Sequence, residues 1–146
     1  EAQYEEFFGD LQRQFPRQVV FYSGTSNELA HRIEAGAALF LMPSLYEPCG
    51  LNQMYSLRYG TVPLVRETGG LADSVRPYDW RTGDGTGFVF EHFAQEGFSW
   101  ALDAALKTFE HPEAWRRLML QGMAEDFSWE RQSARYVELY RWLVER

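Results

Sequence analysis

The sequence predicts an α/β fold: a parallel sheet of about four strands with flanking helices and a C-terminal helical tail. Three observations carry this. Short, almost continuously apolar runs recur at QVVFYS (18–23), ALFLMPS (38–44), VPLVR (62–66) and GFVFE (87–91). Helix-like stretches, SNELAHRIEAG, GLNQMYSLRYG and GLADSV, separate them. The remainder of the chain keeps a helical period with no further strand. Strands that are apolar on both faces and alternate with helices belong to a parallel sheet covered on both sides.

Taken in order, the chain opens with a helix, QYEEFFGDLQRQF, and reaches its first strand only at about residue 18. A parallel unit ordinarily opens with a strand, so part of this one is expected upstream of residue 1. In the tail, SWALDAALKTF (99–109), PEAWRRLMLQGMAED (112–126) and SWERQSARYVELYRWLVER (128–146) read as consecutive helices. Ser99 and Ser128 are the expected N-caps, and Pro112 the expected first helical residue. On the last helix Trp129, Tyr136, Val137, Tyr140, Leu143 and Val144 share one stripe, with Leu139 and Trp142 off it. A core helix with a few surface aromatics and a helix with a second packing face fit that pattern equally. RPYDWRTGDGTG (76–87) is the long loop. Its Gly83, Gly85 and Gly87 have the wrong spacing for a dinucleotide fingerprint and precede a strand, so they read as turn residues.

With 146 residues the chain suits one domain burying roughly two-thirds of its extended surface. Its net charge is -7, with lysines and arginines scattered singly, which argues against a nucleic-acid partner. No apolar run approaches the ~20 residues needed to span a bilayer, and the acidic N-terminal stretch does not resemble a secretory signal. A soluble, intracellular chain with no membrane partner is expected. Cys49 is the single cysteine, which fits a reducing compartment and excludes multi-cysteine zinc frameworks.

Three stretches fall where strands end and helices begin: YSGTSNEL (22–29), MPSLYEPCGLNQ (42–53) and VRETGGLADS (65–74). Ligands of open parallel sheets bind outside those carboxyl ends. In the second, a helix starting near Gly50 presents the N–H groups of Cys49, Gly50 and Leu51 at a positive helix end, suited to sugar hydroxyls or a diphosphate. Gly50 lets a ligand come close. The third repeats the design with Thr68, Gly69 and Gly70, while Asp73 is placed to order the turn. Glu47 is either a functional carboxylate or a first-turn acid favoured by the helix dipole. Cys49 as a nucleophile with His31 as base is the weaker reading, because no acid is placed to orient the histidine. Nor is a hydrolase-like pair of Glu47 and Asp73 favoured, since sequence does not supply the separation it needs. His31, His92 and His111 share no helical face, so no metal site is expected.

FLMPSLYEPCGLNQMYSLRYGTVPLVRETGGLADSV (40–75) closely resembles the glycogen and bacterial-type starch synthases, retaining glucosyltransferases with two Rossmann-like lobes. AHRIEAGAALFLMPS before it, GTGFVF after it and the helical tail extend the resemblance over nearly the whole chain. It implies that residues 1–146 are part of the C-terminal, donor-binding lobe, an incomplete Rossmann-like sheet. The implied reaction moves glucose from ADP-glucose or UDP-glucose to the non-reducing end of an α-1,4-glucan with retention, using no cofactor and no metal. Glu47 would hydrogen-bond the donor glucose and stabilise an oxocarbenium-like transition state. The amides of Cys49, Gly50 and Leu51 would bind sugar hydroxyls or phosphate, with Thr68, Gly69 and Gly70 lining the same crevice.

Three positions depart from the family. Asn52 stands where it usually has threonine, and Tyr55 where related retaining transferases have a second glutamate. Thr25 replaces a tyrosine that stacks on the nucleotide base, so base preference does not carry over, although Tyr22 is near in sequence. The resemblance also implies that the glucan-binding lobe, a glycine-rich lysine segment and the diphosphate-clamping arginine and lysine lie upstream of residue 1. The fragment alone is expected to be inactive, or nearly so. In the family order 3-2-1-4-5-6 this chain would hold the last four strands in sequence, leaving a gap between 18–23 and 38–44. Either those two strands pair directly or the chain self-associates through unpaired strands. The expected location is the cytoplasm, or a plastid for a plant chain.

Overall fold

The structure is a computed structural model and describes residues 2–145. In chain order the elements are α1 (Ala2–Gln14), α2 (Asn27–Gly36), β1 (Leu39–Met42), α3 (Asn52–Tyr59), β2 (Val62–Arg66), α4 (Gly69–Ser74), β3 (Phe88–Phe90), α5 (Gln95–Phe109), α6 (Pro112–Met123) and α7 (Trp129–Val144). The chain divides after His31 into two compact units.

In the first unit α1 buries no residue. Phe8 stands edge-on to Phe7 at 5.3 Å and stacks on Phe21 at 5.8 Å. The expected strand 18–23 is not formed: these residues belong to no ladder, and Val20 is 88% exposed. A segment becomes a strand only where a neighbour answers its backbone groups. Here the Phe21 N–H donates to the Gln12 side chain instead.

The second unit holds a three-stranded parallel sheet in the order β1-β2-β3, in register at Leu39 with Val62 and at Leu64 with Phe88. The sheet is thus parallel as expected, with three strands rather than four. Residues 62–65 of the central strand β2 are all buried, as a strand covered on both faces must be. On one face Val62, Leu64, Phe88 and Phe90 pack with Ala101 and Ala105 of α5 and with Trp115 and Leu118 of α6. Trp115 lies parallel to Phe88 at 6.3 Å and edge-on to Phe109 at 5.0 Å. Val65, Leu71 and Val75 form the core on the other face. Pro63 has no N–H to give the ladder, and Gly87 lies so close that a Cβ there would be 2.4 Å from the Pro63 carbonyl oxygen.

The loop 76–87 is closed by bridges from Pro77 to Gly87 and from Asp79 to Asp84, with Gly83 and Gly85 at positive φ, the turn role expected of them. Pro112 does open α6, and the Ser128 hydroxyl caps α7 by accepting from the Arg131 N–H. Ser99 is no cap. Helix α5 begins four residues earlier, after Ala94, with Glu96 in a first turn that favours an acid. Nor is α7 a core helix: none of its residues is buried. Among the described residues no helix is long and apolar enough to cross a membrane.

Candidate functional site

Parallel strands deliver their carboxyl ends to one side of a sheet, so the loops after β1 and β2 emerge together. The first, residues 43–51, is fixed at its root: the Arg66 side chain at the end of β2 donates to the Ser44 carbonyl at 3.1 Å while its guanidinium lies over the Phe93 ring at 5.5 Å. Further on the loops meet backbone to backbone. The Gly70 N–H donates to the carbonyls of Glu47 and Pro48, both at 3.2 Å. No side chain fits between them. A Cβ on Gly70 would lie 1.9 Å from the Cys49 carbonyl oxygen, and one on Gly69, at φ 44°, would lie 2.1 Å from that of Glu47. The two glycines of TGGLAD are therefore required by the loop itself.

Gly50 turns the chain into α3 at φ 71°. The space left by its missing Cβ is occupied from inside the protein, since an added Cβ would meet Gln53 Oε1 at 2.4 Å. Leu51, in the N-cap position, offers no side-chain acceptor. The N–H groups of Cys49, Gly50 and Leu51 donate to no described residue. Beside them the half-buried Glu47 side chain makes no hydrogen bond or ion pair with any described residue. An uncommitted carboxylate and a run of uncommitted amides thus share one turn, a combination that binds hydroxyls through the acid and anionic oxygens through the amides.

The Cys49 thiol is exposed and donates to the Gly50 carbonyl at 3.6 Å. It has a carbonyl where a nucleophile would need a base. Among the described residues no group of three or more His, Cys, Asp or Glu side chains is placed to hold a metal ion.

The expected site residues are only partly gathered. A cleft of about 380 Å³ runs beside Pro48, Cys49, Gly70 and Asp73, and faces Arg131 and Arg135 of α7. A second, of about 600 Å³, takes in Leu51, Tyr55, Arg58 and Trp129. Glu47, Asn52, Thr68 and Gly69 line neither cleft. Asn52 is the exposed first residue of α3, and Thr68 is the extended residue before α4. Thr25 is exposed in the first unit, near a turn where a Cβ on Gly24 would lie 2.9 Å from the Tyr22 hydroxyl.

Sequence reasoning missed Gln53. This residue is fully buried, and its Nε2 lies 3.1 Å from the Cys49 carbonyl, 3.0 Å from the Gly50 carbonyl and 3.0 Å from Ser74 Oγ. The available signal was a long polar side chain three residues after a glycine, on the inner side of a short helix.

Comparison with known proteins places the chain among glycosyltransferases. The chain is 46% identical over 145 residues to a glycogen synthase of Bacillus cereus and 56% identical over 141 residues to one of Anaeromyxobacter dehalogenans. These alignments take in 99% and 97% of the chain, but the chain spans only 30% of the length of either relative. Among solved structures, the catalytic domain of starch synthase IV from Arabidopsis thaliana, bound to ADP and acarbose, matches with a TM-score of 0.81 at 36% identity, covering 100% of this chain and 31% of that one. A sucrose-phosphate synthase from Thermosynechococcus elongatus shares the fold at a TM-score of 0.67 and 23% identity, covering 99% of this chain and 35% of that one. Residues 4–118 match the sequence model of glycosyl transferases group 1, and with the two strand-end loops inside that span the chain belongs to this family.

Proposed function

We propose that this chain is the donor-binding part of an α-1,4-glucan synthase, which transfers glucose from a nucleotide sugar to the non-reducing end of a glucan with retention. The observation that carries the reading is the uncommitted Glu47 carboxylate beside the uncommitted amides of Cys49, Gly50 and Leu51, at the carboxyl end of β1. As the glycosidic bond to the nucleotide breaks, positive charge develops on the sugar and negative charge on the departing diphosphate. Glu47 answers the first by hydrogen-bonding the donor glucose, and the amide row answers the second without reorganising. The retained configuration follows if the leaving phosphate assists the acceptor hydroxyl, a route that needs no thiol at Cys49.

Asn52 and Tyr55 on α3 and Thr68, Gly69 and Gly70 on the neighbouring loop complete the proposed donor site within the second unit. ADP-glucose is the favoured donor, because the starch synthase that this chain resembles over its whole length was solved with ADP. The glucan acceptor is held by a lobe outside these 146 residues. Cytoplasmic placement goes with the similarity to bacterial glycogen synthases. The outer edge of β1 has no partner strand among the described residues, which supports self-association of the isolated chain.

A second reading, a binding or interaction fragment without catalysis, is favoured by α7. This helix buries none of its residues and exposes Trp129, Tyr136, Tyr140 and Trp142.

Titration with ADP-glucose, followed by tryptophan fluorescence, tests the donor site, since Trp129 shares a cleft with Leu51 and Tyr55. Saturable binding that Glu47→Ala weakens by about tenfold or more is the expected result, from the loss of a charge-assisted hydrogen bond. Binding untouched by that change removes Glu47 from the site. Glucosyl transfer to a maltooligosaccharide is expected to be absent or minimal with this chain alone. Robust turnover would contradict the need for a second lobe.

A further inference from the structure

We propose that Gln53 is a positioning residue that locks the Glu47–Gly50 turn in the shape needed for the donor; this rests on the donor-site reading above. Its side chain is fully buried, and a buried amide must be satisfied or serve a purpose. The nitrogen end is satisfied. Nε2 carries two hydrogens, and three oxygens surround it: the Cys49 carbonyl at 3.1 Å, the Gly50 carbonyl at 3.0 Å and Ser74 Oγ at 3.0 Å. Two of these are carbonyls that can only accept, so the amide nitrogen must face them, and the Oε1 atom is left with no hydrogen-bond partner among the described residues. Leaving a buried acceptor unmatched is costly, and the arrangement is kept despite it.

The hydrogen bonds then continue in one direction. Ser74 Oγ, which accepts from Gln53, donates to the Gly70 carbonyl at 2.5 Å, and the Gly70 N–H donates to the carbonyls of Glu47 and Pro48. Thus the backbone of the turn is held from below by Gln53 on α3 and from the side by α4, and Gln53 joins both. Gln53 ties down the carbonyls of Cys49 and Gly50, while the N–H groups of Cys49, Gly50 and Leu51 donate to no described residue. A glutamate at this position would turn lone pairs towards two carbonyls, and a methionine would fill the space and donate nothing. Gly50 belongs to the same device, since only its missing Cβ admits the amide. Gln53 touches neither sugar nor diphosphate in this account and acts through the turn.

Amide hydrogen exchange and ADP-glucose titration on the 146-residue chain test this together, with Gln53→Met, Gln53→Glu, Ser74→Ala and the double variant Gln53→Met/Ser74→Ala. For Gln53→Met the Gly70 N–H is expected to exchange about tenfold faster and ADP-glucose affinity to fall about tenfold, one hydrogen bond's worth, while amides of the central strand β2 keep their protection. Gln53→Glu should do at least as much harm. Ser74→Ala removes the bonds from Gln53 and to the Gly70 carbonyl but leaves the amide on the Cys49 and Gly50 carbonyls, so it should fall between wild type and Gln53→Met, and the double variant should be no worse than Gln53→Met because both act through one chain of bonds. Unchanged Gly70 exchange in Gln53→Met overturns the inference. Faster exchange with unaltered affinity does the same, since Gln53 would then serve stability alone. If the Gln53 variants do not fold, Ser74→Ala decides by the same two readouts. Wild type that fails to bind ADP-glucose defeats the functional reading first and the positioning role with it. Wild type that binds, loses binding in Glu47→Ala and keeps it in Gln53→Met sustains the reading and defeats only Gln53.

Discussion

Two helices of this molecule begin in opposite ways. At α7, Ser128 has the extended backbone of an N-cap, and its hydroxyl accepts from the Arg131 N–H at 3.5 Å. The Asp126 carboxylate accepts the Ser128 N–H at 2.9 Å, so two N–H groups of this start are answered by side chains of the chain itself. At α3 the N-cap is Leu51, with helical backbone angles and no side-chain acceptor. Its neighbours Cys49 and Gly50 leave their N–H groups uncommitted too. Both starts carry the same partial positive charge from the helix dipole. The difference is what answers it. At the α7 start side chains answer it, whereas at α3 no described side chain does, and Glu47 lies beside the open amides.

The largest test of that contrast is Gly70→Ala. The added Cβ would stand 1.9 Å from the Cys49 carbonyl oxygen, a backbone atom, so the turn that presents the amides must move bodily. Overpacking against backbone at a fixed turn is expected to cost about 3 kcal/mol, seen as a lowered midpoint in urea denaturation, together with loss of ADP-glucose binding. A variant of unchanged stability would mean that the two loops do not need their close approach.

Ser128→Ala comes next, because it makes the α7 start resemble that of α3. Loss of a capping hydroxyl costs about 1 kcal/mol, and the long contact here points to the lower end. Since α7 buries none of its residues, the change should appear as lost helicity in far-UV circular dichroism and leave the core transition nearly unmoved. A matching loss of core stability would mean that α7 is packed more firmly than its exposure suggests. The reverse exchange is smaller. Leu51→Ser brings a hydroxyl to α3, but Leu51 has φ -114° and ψ -34°, whereas a capping side chain works from extended backbone. The expected change in stability is within about 0.5 kcal/mol, with little effect on ADP-glucose affinity. A clear gain in stability accompanied by weaker binding would show that the α3 start can be closed like the other.

How much of this was legible in the sequence depended on whether the determinant was local. Caps are local, and Ser128 and Pro112 declared themselves. So did the three apolar runs that became β1, β2 and β3, because each is flanked by turn residues and has a neighbour to pair with. QVVFYS carries the same apolar signal as those runs, yet strand formation depends on a partner, which a single run cannot reveal. The site divided along the same line. Glu47 and the amides that follow it could be read from EPCG, because the helix start is a matter of adjacent residues. Gly50 reads in the sequence as room for a ligand, while in the structure a Cβ there would meet Gln53 Oε1 at 2.4 Å, and Gly69 and Gly70, a second helix start in the sequence, lie against the Glu47 and Cys49 carbonyls. Gln53 was invisible for a related reason: its partners include Ser74, 21 residues away, and only the fold brings them together.

The finest difference between the two starts is electrostatic, and pH reaches only one of them in this way. Hydrogen bonds from Ser128, the hydroxyl first and the backbone N–H second, hold the Asp126 carboxyl below its ordinary value of 3.8 in the folded chain. A carboxyl whose pKa is lowered by folding adds stability above its unfolded value. That stability is lost as the pH falls from the unfolded value through the folded one, because protonation removes the acceptor charge. On acidification below about 3.8, therefore, α7 should lose helicity from its first turn, and Asp126→Asn should flatten that part of the profile. The group is fully exposed, so the effect is small and should shrink further in salt. The start of α3 has no side-chain carboxylate in the capping role, so its helicity should not follow the same curve. Identical acid profiles for the two helices, resolved by amide chemical shifts, would show that capping by Asp126 and Ser128 does not set α7 apart.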